Sequence, residues 1–256
     1  MEFTASLRKT ISSLATVKGR RENNLFVVEG TKAISETLPY FELYAFIATS
    51  KWVEMNNDMA ANIDVTVIPN RDFERVSFLK NPQGAMAVYK LPVRVQLSDL
   101  QLKDKLTLAL DGVQDPGNLG TIIRIADWFG ISTILASCDT ADAFSPKVVQ
   151  ATMGAIGRVK VCYCDLAQTL AGRDKSLPVY GTFLDGNNIF TAELNPQSGI
   201  IVMGNEGNGI SDKVARQVTN RLLIPSFPAD GSSEVVESLN VGVATAITVA
   251  EFRRRQ

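Results

Sequence analysis

The sequence contains no histidine. That absence removes Ser-His-Asp and Cys-His nucleophilic machinery, histidine general bases and every His-ligated metal site. Cysteine is scarce: Cys138, Cys162 and Cys164 make neither a disulfide framework nor a four-thiolate zinc site, and they read as small buried thiols in a reducing compartment. No charge sign dominates, since 26 Lys plus Arg stand against 27 Asp plus Glu for a net charge of −1. A protein that coats nucleic acid through bulk charge is more basic, so any such binding must use local patches. The N-terminal MEFTASLRKT lacks the apolar core of a signal peptide. The longest apolar stretch, 241–250, is too short and too rich in Ala, Gly and Thr to span a bilayer. The expectation is a cytoplasmic protein with no membrane or metal partner.

What is present suits one large or two small globular domains: 256 residues, 45% hydrophobic and 21% charged. Short apolar runs alternate with helical patterns, which points to α/β architecture. Strands are expected at 25–28, 44–48, 65–68 and 85–89, with helices near 31–38, 51–62 and 70–78. Residues 92–104 have mixed polarity and no period, as a linker would. Further strands are expected at 106–110, 133–136, 159–162, 179–184, 200–203 and 221–224. The resulting division is a small α/β domain over 1–92, a linker over 93–105 and a parallel-sheet α/β domain over 106–256. Residues 1–35 hold six basic residues against three acidic ones, including Lys18, Arg20, Arg21 and Lys32. That excess is either a solvated helix face or a phosphate-contacting arm.

Three segments of the second domain stand out. In the first, LTLAL runs into Asp111-Gly-Val-Gln-Asp-Pro-Gly-Asn-Leu-Gly-Thr-Ile-Ile-Arg124. Asp115 can cap the helix that follows, and Pro116 suits its first turn. Ile122, Ile125, Ala126 and Phe129 mark an apolar stripe, and Arg124 lies off it near Thr121 and Trp128. Arg124 is either a surface residue paired with Asp127 or a guanidinium beside a helix N-terminus, where phosphate is attracted. The second segment, Ile200-Ile-Val-Met-Gly-Asn-Glu-Gly-Asn-Gly-Ile210, ends a strand in a glycine-rich loop. Its G-x-x-G-x-G spacing is neither the dinucleotide fingerprint nor a Walker A sequence. It is either a tight turn or a ligand loop at the carboxyl end of a parallel strand. The third leads from Ile224-Pro225 through a polar loop to Ser238-Leu239-Asn240 and a last helix that is apolar on nearly every side. Such a helix is buried on two sides, and its small residues suit a homodimer.

Taken together, Asn118-x-Gly120-x-x-x-Arg124, Gly204-Asn-Glu-Gly-x-Gly209 and Ile224-Pro225 with Ser238-Leu239-Asn240 resemble the motifs of the SpoU (TrmH-type) RNA 2′-O-ribose methyltransferases, in the SPOUT class. The first domain, with Phe26-Val-Val-Glu-Gly30, Lys32 and Asn81-Pro-Gln-Gly84, is similar to that family's accessory RNA-binding domain. The resemblance implies S-adenosylmethionine as cofactor, a trefoil-knotted methyltransferase domain and a homodimer formed through that domain and its last helix. General folding rules argue against knots. It implies Gly204, Ile224 and Leu239 as cofactor contacts, with Thr182, Met203 and Gly209 beside them. It also implies Asn118, Arg124, Glu206, Ser238 and Asn240 as the polar catalytic set, and Lys18, Arg20, Arg21 and Lys32 as RNA contacts. Two departures touch the substrate side: loop 226–237 is several residues longer than usual, and Gly242 stands where a small polar residue is common.

The implied reaction is in-line transfer of a methyl group from sulfonium to a ribose 2′-hydroxyl in structured RNA, ribosomal rather than transfer RNA by analogy. Arg124 would act as the base or stabilise the developing alkoxide, because no histidine exists to do so. The alternative is an inactive RNA-binding protein of the same fold; the missing G-x-G-x-x-G disfavours a nucleotide-dependent oxidoreductase.

Overall fold

A computed structural model describes residues 2–228 and 236–256. The chain falls into two compact units: the part up to Val93 together with Asp142–Arg158, and Arg94–Ala141 together with the part from Val159 on.

The first unit opens with helices α1 (Ala5–Ser13) and α2 (Val17–Asn23), each capped by a threonine: Thr4 accepts from the Leu7 N–H and Thr16 from the Gly19 N–H. There follow β1 (Leu25–Glu29), α3 (Thr31–Thr37), β2 (Leu43–Thr49), α4 (Ser50–Met55), α5 (Asn57–Ala60), β3 (Val65–Ile68), α6 (Asn70–Val76) and β4 (Ala85–Lys90). The sheet order is β1-β4-β2-β3, with β4 antiparallel to both neighbours and β2 parallel to β3. Positive φ at Gly30 and Gly84 turns the chain out of β1 and into β4; a Cβ on Gly30 would meet the Gln83 side chain at 2.5 Å. The landmark Glu29 is buried, accepting from the Ser77 hydroxyl at 2.5 Å and the Phe78 N–H at 2.7 Å, and burial raises its pKa.

Segment 142–158, which lies between two strands of the second unit's sheet, supplies the first unit with helix Pro146–Thr152, α8 in chain order. Val149 joins the core formed by Phe26, Val28, Phe46 and Tyr89, and the Phe144 ring lies 4.8 Å from that of Phe26. The same segment corrects the expectation for Arg20. That guanidinium is only 2% exposed; Nη1 donates to the Leu14 carbonyl at 2.7 Å, while Nε and Nη2 donate to Asp142 at 3.1 and 2.6 Å. It is a structural cation, enclosed beyond the reach of a phosphate. Asp142→Ala leaves this buried charge unpaired and should cost about 3 kcal/mol. Trp52 is buried in this unit whereas Trp128 in the other is exposed, so tryptophan fluorescence during urea unfolding should show the loss as an earlier midpoint.

The second unit contains β5 (Leu106–Leu110), α7 (Pro116–Trp128), β6 (Thr133–Ser137), β7 (Lys160–Cys164), α9 (Leu166–Ala171), β8 (Val179–Asn188), β9 (Gly199–Met203), α10 (Asp212–Ala215), β10 (Asn220–Leu223) and α11 (Val241–Arg254). Its sheet is parallel throughout, in the order β10-β8-β9-β5-β6-β7. Strands β5 and β9 are buried along their whole length, which accounts for their unbroken apolar sequences. Val95, Leu100 and Leu102, from the stretch read as a linker, pack against this unit's core. Cys162 and Cys164 are buried thiols with pKa values raised by burial, but Cys138 is exposed, contrary to expectation.

Two helix faces differ from the periodicity reading. On α7 the buried residues are Leu119, Gly120, Ile122, Ile123 and Ala126, while Ile125 and Phe129 are half-buried. The apolar stripe is therefore rotated by about one residue, and Thr121, Arg124 and Trp128 are exposed. On α11 the buried side includes Thr245, Thr248 and Glu251, while Val243 is 50% exposed and Ala250 faces solvent. Glu251 anchors the end of this helix: Arg254 and Arg255 donate to it at 2.7–2.8 Å, and Arg255 also reaches the Ile189 and Ala192 carbonyls. Hydrogen bonds from Arg254 lead the causes that hold its carboxyl at about 2, against 4.5 ordinarily. A depressed carboxylate contributes its stability in full above the ordinary value and loses it as pH falls toward the folded one. Glu251→Gln should lower Tm at neutral pH, with a loss of about 2 kcal/mol. In melts across pH the gap from wild type should close as pH drops from 4.5 toward 2.

Candidate active site

The site is built at the carboxyl ends of β5 and β9. These strands pair in register from Leu106↔Gly199 to Leu110↔Met203, and the Asp111 N–H donates to the Met203 carbonyl one step further. The loops that follow are thereby held side by side. Gly112, at φ +72°, turns the first loop away, and its carbonyl accepts from Asn205 Nδ2 at 2.7 Å. Asn205 Oδ1 accepts from the Gly207 and Asn208 N–H groups, an Asx turn that shapes the glycine-rich loop. Backbone bonds in both directions between Asn205 and Gly209 close it. Buried Asp111 accepts from the Ser211 N–H at 2.7 Å and fixes where the loop ends.

Three residues of the expected catalytic set converge on this scaffold. Asp115 caps α7 through the Asn118 N–H, as its position predicts. The Asn118 side chain then donates from Nδ2 to Glu206 Oε1 at 2.8 Å and accepts at Oδ1 from Asn240 Nδ2 at 2.9 Å. Asn240 Oδ1 in turn caps α11 by accepting from the Gly242 and Val243 N–H groups. One hydrogen-bonded chain thus joins α11, α7 and the glycine-rich loop, one residue from each motif. Gly242 sits where α11 meets α7: a Cβ there would lie 3.1 Å from Thr121 Cγ2, which leaves little room for a larger residue.

The remaining candidates do not join that hydrogen-bonded chain. Arg124 is exposed on α7 and has no hydrogen bond or ion pair to any described residue, so the pair with Asp127 is not formed. Ser238 and Leu239 are exposed just before α11; residues 229–235 of the extended loop lie outside the described residues. Thr182 stands beside Met203, its hydroxyl 3.9 Å from the sulfur. The backbones of Gly204, Ile224 and Leu239 make no hydrogen bond to described residues, leaving donors and acceptors free for a ligand beside the exposed Leu239 side chain. This suits a cofactor gripped mainly through main-chain groups. Asn205, Asp111 and Ser211 were not expected from sequence; an Asn inside a glycine-rich loop is the signal that could have indicated the first.

The match to the SpoU rRNA Methylase family model spans residues 105–250. The chain belongs to that family. Residues 8–87 match the MRM3-like substrate binding domain. The chain is 28% identical to the 23S rRNA (guanosine(2553)-2′-O)-methyltransferase RlmP of Bacillus subtilis, over 96% of its own length and 95% of the relative's. Among solved structures it resembles a TrmH-family protein from Porphyromonas gingivalis (41% identity, TM-score 0.86, 99% of each chain). It also resembles the S-adenosylmethionine-bound rRNA methyltransferase from Sinorhizobium meliloti (27% identity, TM-score 0.84, 100% of this chain and 98% of the other).

Gly204 tests the loop. A Cβ there would lie 2.3–2.6 Å from backbone atoms of Gly209 and Ile210, so even Gly204→Ala must spring the loop open. Calorimetric titration with S-adenosylmethionine should show at least a tenfold loss of affinity, about 1.4 kcal/mol or more. Gly209→Ala meets no atom within 4 Å and is strained only by φ +67°, so its loss should be smaller.

Proposed function

We propose that this protein methylates a ribose 2′-hydroxyl in ribosomal RNA, using S-adenosylmethionine held by the backbones of Gly204, Ile224 and Leu239 with Thr182, Met203 and Gly209 around them. The observation that carries the reading is the Asn240–Asn118–Glu206 chain, which unites the three motifs of the family at one sheet edge. The relatives named above for rRNA methylation span nearly the full chain, which favours ribosomal over transfer RNA.

When bound, the cofactor supplies an activated sulfonium methyl, so the protein's task is largely positioning. Glu206 is held by a neutral amide rather than a cation. Arg124, without a partner among the described residues, is available to the ribose and its phosphates. A guanidinium stays protonated, so we assign Arg124 to hold the charge that develops on the 2′-oxygen while the proton passes to solvent. Ser238, exposed at the entry to α11, completes the substrate side. The first unit grips RNA through exposed basic residues, Lys32 among them.

The knotted path implied by family membership is part of this reading, and the parallel order with β9 between β5 and β8 is consistent with it. So is a cytoplasmic location, where ribosomal RNA is reached; no helix among the described residues is long and apolar enough to cross a membrane. We also propose a homodimer through the second unit. Trp128 is 84% exposed, and the outward face of α11 carries Val243 and Ala250 while its threonines are buried. Val241, Val249 and Phe252 are buried on the inner face, so the helix carries apolar residues on both sides, and a second copy can cover the outer ones.

Arg124 gives the decisive test. It lies off the buried face of α7, so Arg124→Ala should leave the unfolding free energy within about 0.5 kcal/mol of wild type. Single-turnover methyl transfer to ribosomal RNA should fall by roughly 100-fold or more. Arg124→Lys keeps the charge and loses the planar fork, and should rescue poorly. Near wild-type turnover in Arg124→Ala would refute the assignment.

A further inference from the structure

The first unit's cations divide into two kinds. Lys18 is paired with Glu22, Arg20 with Asp142, Arg75 with Asp72, Lys90 with Glu42 and Arg158 with Glu36. Arg8, Lys9, Arg21, Arg71, Lys32, Lys51, Lys80 and Lys147 are exposed and have no ion-pair partner among the described residues, and of these Lys32, Lys51, Lys80 and Lys147 form a group. Far apart in sequence, these four belong to one end of the mixed sheet.

The contacts that bring them there are specific. Lys32 follows Thr31, whose hydroxyl accepts from Trp52 Nε1 at 2.7 Å, and Lys51 directly precedes Trp52. Lys80 lies in loop 77–84, whose far end is pinned where Gln83 covers Gly30 and where Gly84 abuts Thr49 and Trp52. Its near end is pinned by Glu29, through Ser77 and the Phe78 N–H. Lys147 follows Pro146, which lines a small cavity with Glu29, Phe78 and Leu79. Register agrees, since Glu29↔Met86, Ala48↔Ala85 and Thr49↔Ile68 all lie at this end. On the same elements the carboxylates are Glu36, neutralised by Arg158, and Glu54.

We propose that this end of the first unit, with Lys32, Lys51, Lys80 and Lys147 around the Gly30–Gln83–Gly84 turn, is its main RNA phosphate-binding surface, in place of the N-terminal Lys18–Arg21 run. The inference rests on the RNA-methyltransferase reading and specifies where the substrate is held. Four lysines from four segments give a spread of point charges that follows a folded backbone. Exposed cations free of protein partners lose no ion pair when they meet phosphate, and in the N-terminal run that holds for Arg21 but not for Lys18.

The test uses full-length protein and protein-free 23S ribosomal RNA, with binding titrated across salt. Each lysine–phosphate contact contributes roughly 0.7–0.9 to the slope of log K against log salt. Replacing all four lysines by Ala should lower that slope by about 3 and weaken binding at least about tenfold near physiological salt. Lys18→Ala with Arg21→Ala should lower it less. Calorimetric affinity for S-adenosylmethionine should stay at the wild-type value, and the melting curve should be unchanged because no ion pair is lost. Unchanged slope and affinity in the quadruple variant overturn the surface while leaving the methyltransferase reading intact. A wild-type protein that binds RNA through these lysines but transfers no methyl group overturns the activity and supports the surface. Equal or larger losses in the Lys18/Arg21 variant return the main surface to the N-terminal run and overturn the proposal.

Discussion

Everything at the candidate site depends on the in-register parallel pairing of β5 with β9. Parallel strands end at the same edge, so two loops separated by about ninety residues leave the sheet as neighbours. One further rung, from the Asp111 N–H to the Met203 carbonyl, carries that alignment beyond the strands. The buried Asp111 carboxylate would be costly alone, and the Ser211 N–H offsets its desolvation. Asn205 then uses donor and acceptor together, one on Gly112 and the other on its own loop. A shift of one strand by a residue would separate all of these partners.

On that frame, the choice of neutral amides has a physical logic. Asn118 must donate to a carboxylate and accept from another amide at the same time, which an Asp cannot do. A carboxylate at 118 would also face Glu206 and repel it. Asn240 meets a similar double demand, since its oxygen caps α11 while its nitrogen reaches Asn118. Orientation therefore passes along the chain without spending a cation on Glu206. Arg124 and Glu206 stay unpaired with each other.

The strand positions, the Asp115 cap and the three motif segments were legible because each is a local signal: an apolar run, a capping residue before a Pro, glycines after a strand. The burial of Arg20 was not, since its partner Asp142 is 122 residues away and a basic run looks the same whether or not one member is enclosed. Assignment of 142–158 to the first unit is hidden for the same reason: Phe144 and Val149 are ordinary apolar residues whose partners no periodicity reveals. The stripe on α7 is displaced from the series Ile122, Ile125, Ala126, Phe129 because Leu119 and Ile123 share the buried face with Ile122 and Ala126. On α11 the threonines look polar in sequence, yet the hydroxyls of Thr245 and Thr248 bond back to the Val241 and Ala244 carbonyls and so can be buried.

A net charge of −1 is a poor guide to whether this chain can hold a polyanion. Charges separated by more than about 10 Å are screened from one another at ordinary salt, so a phosphate responds to the few groups near it and not to the total. Within those few, a cation already facing a carboxylate contributes little, as Lys18 beside Glu22 and Lys90 beside Glu42 illustrate. What counts is the local number of unpaired cations, and tertiary structure sets that number by deciding which carboxylates are buried, like Glu29, or already neutralised, like Glu36. A chain with almost no net charge can thus still concentrate electrostatic attraction where unpaired cations gather.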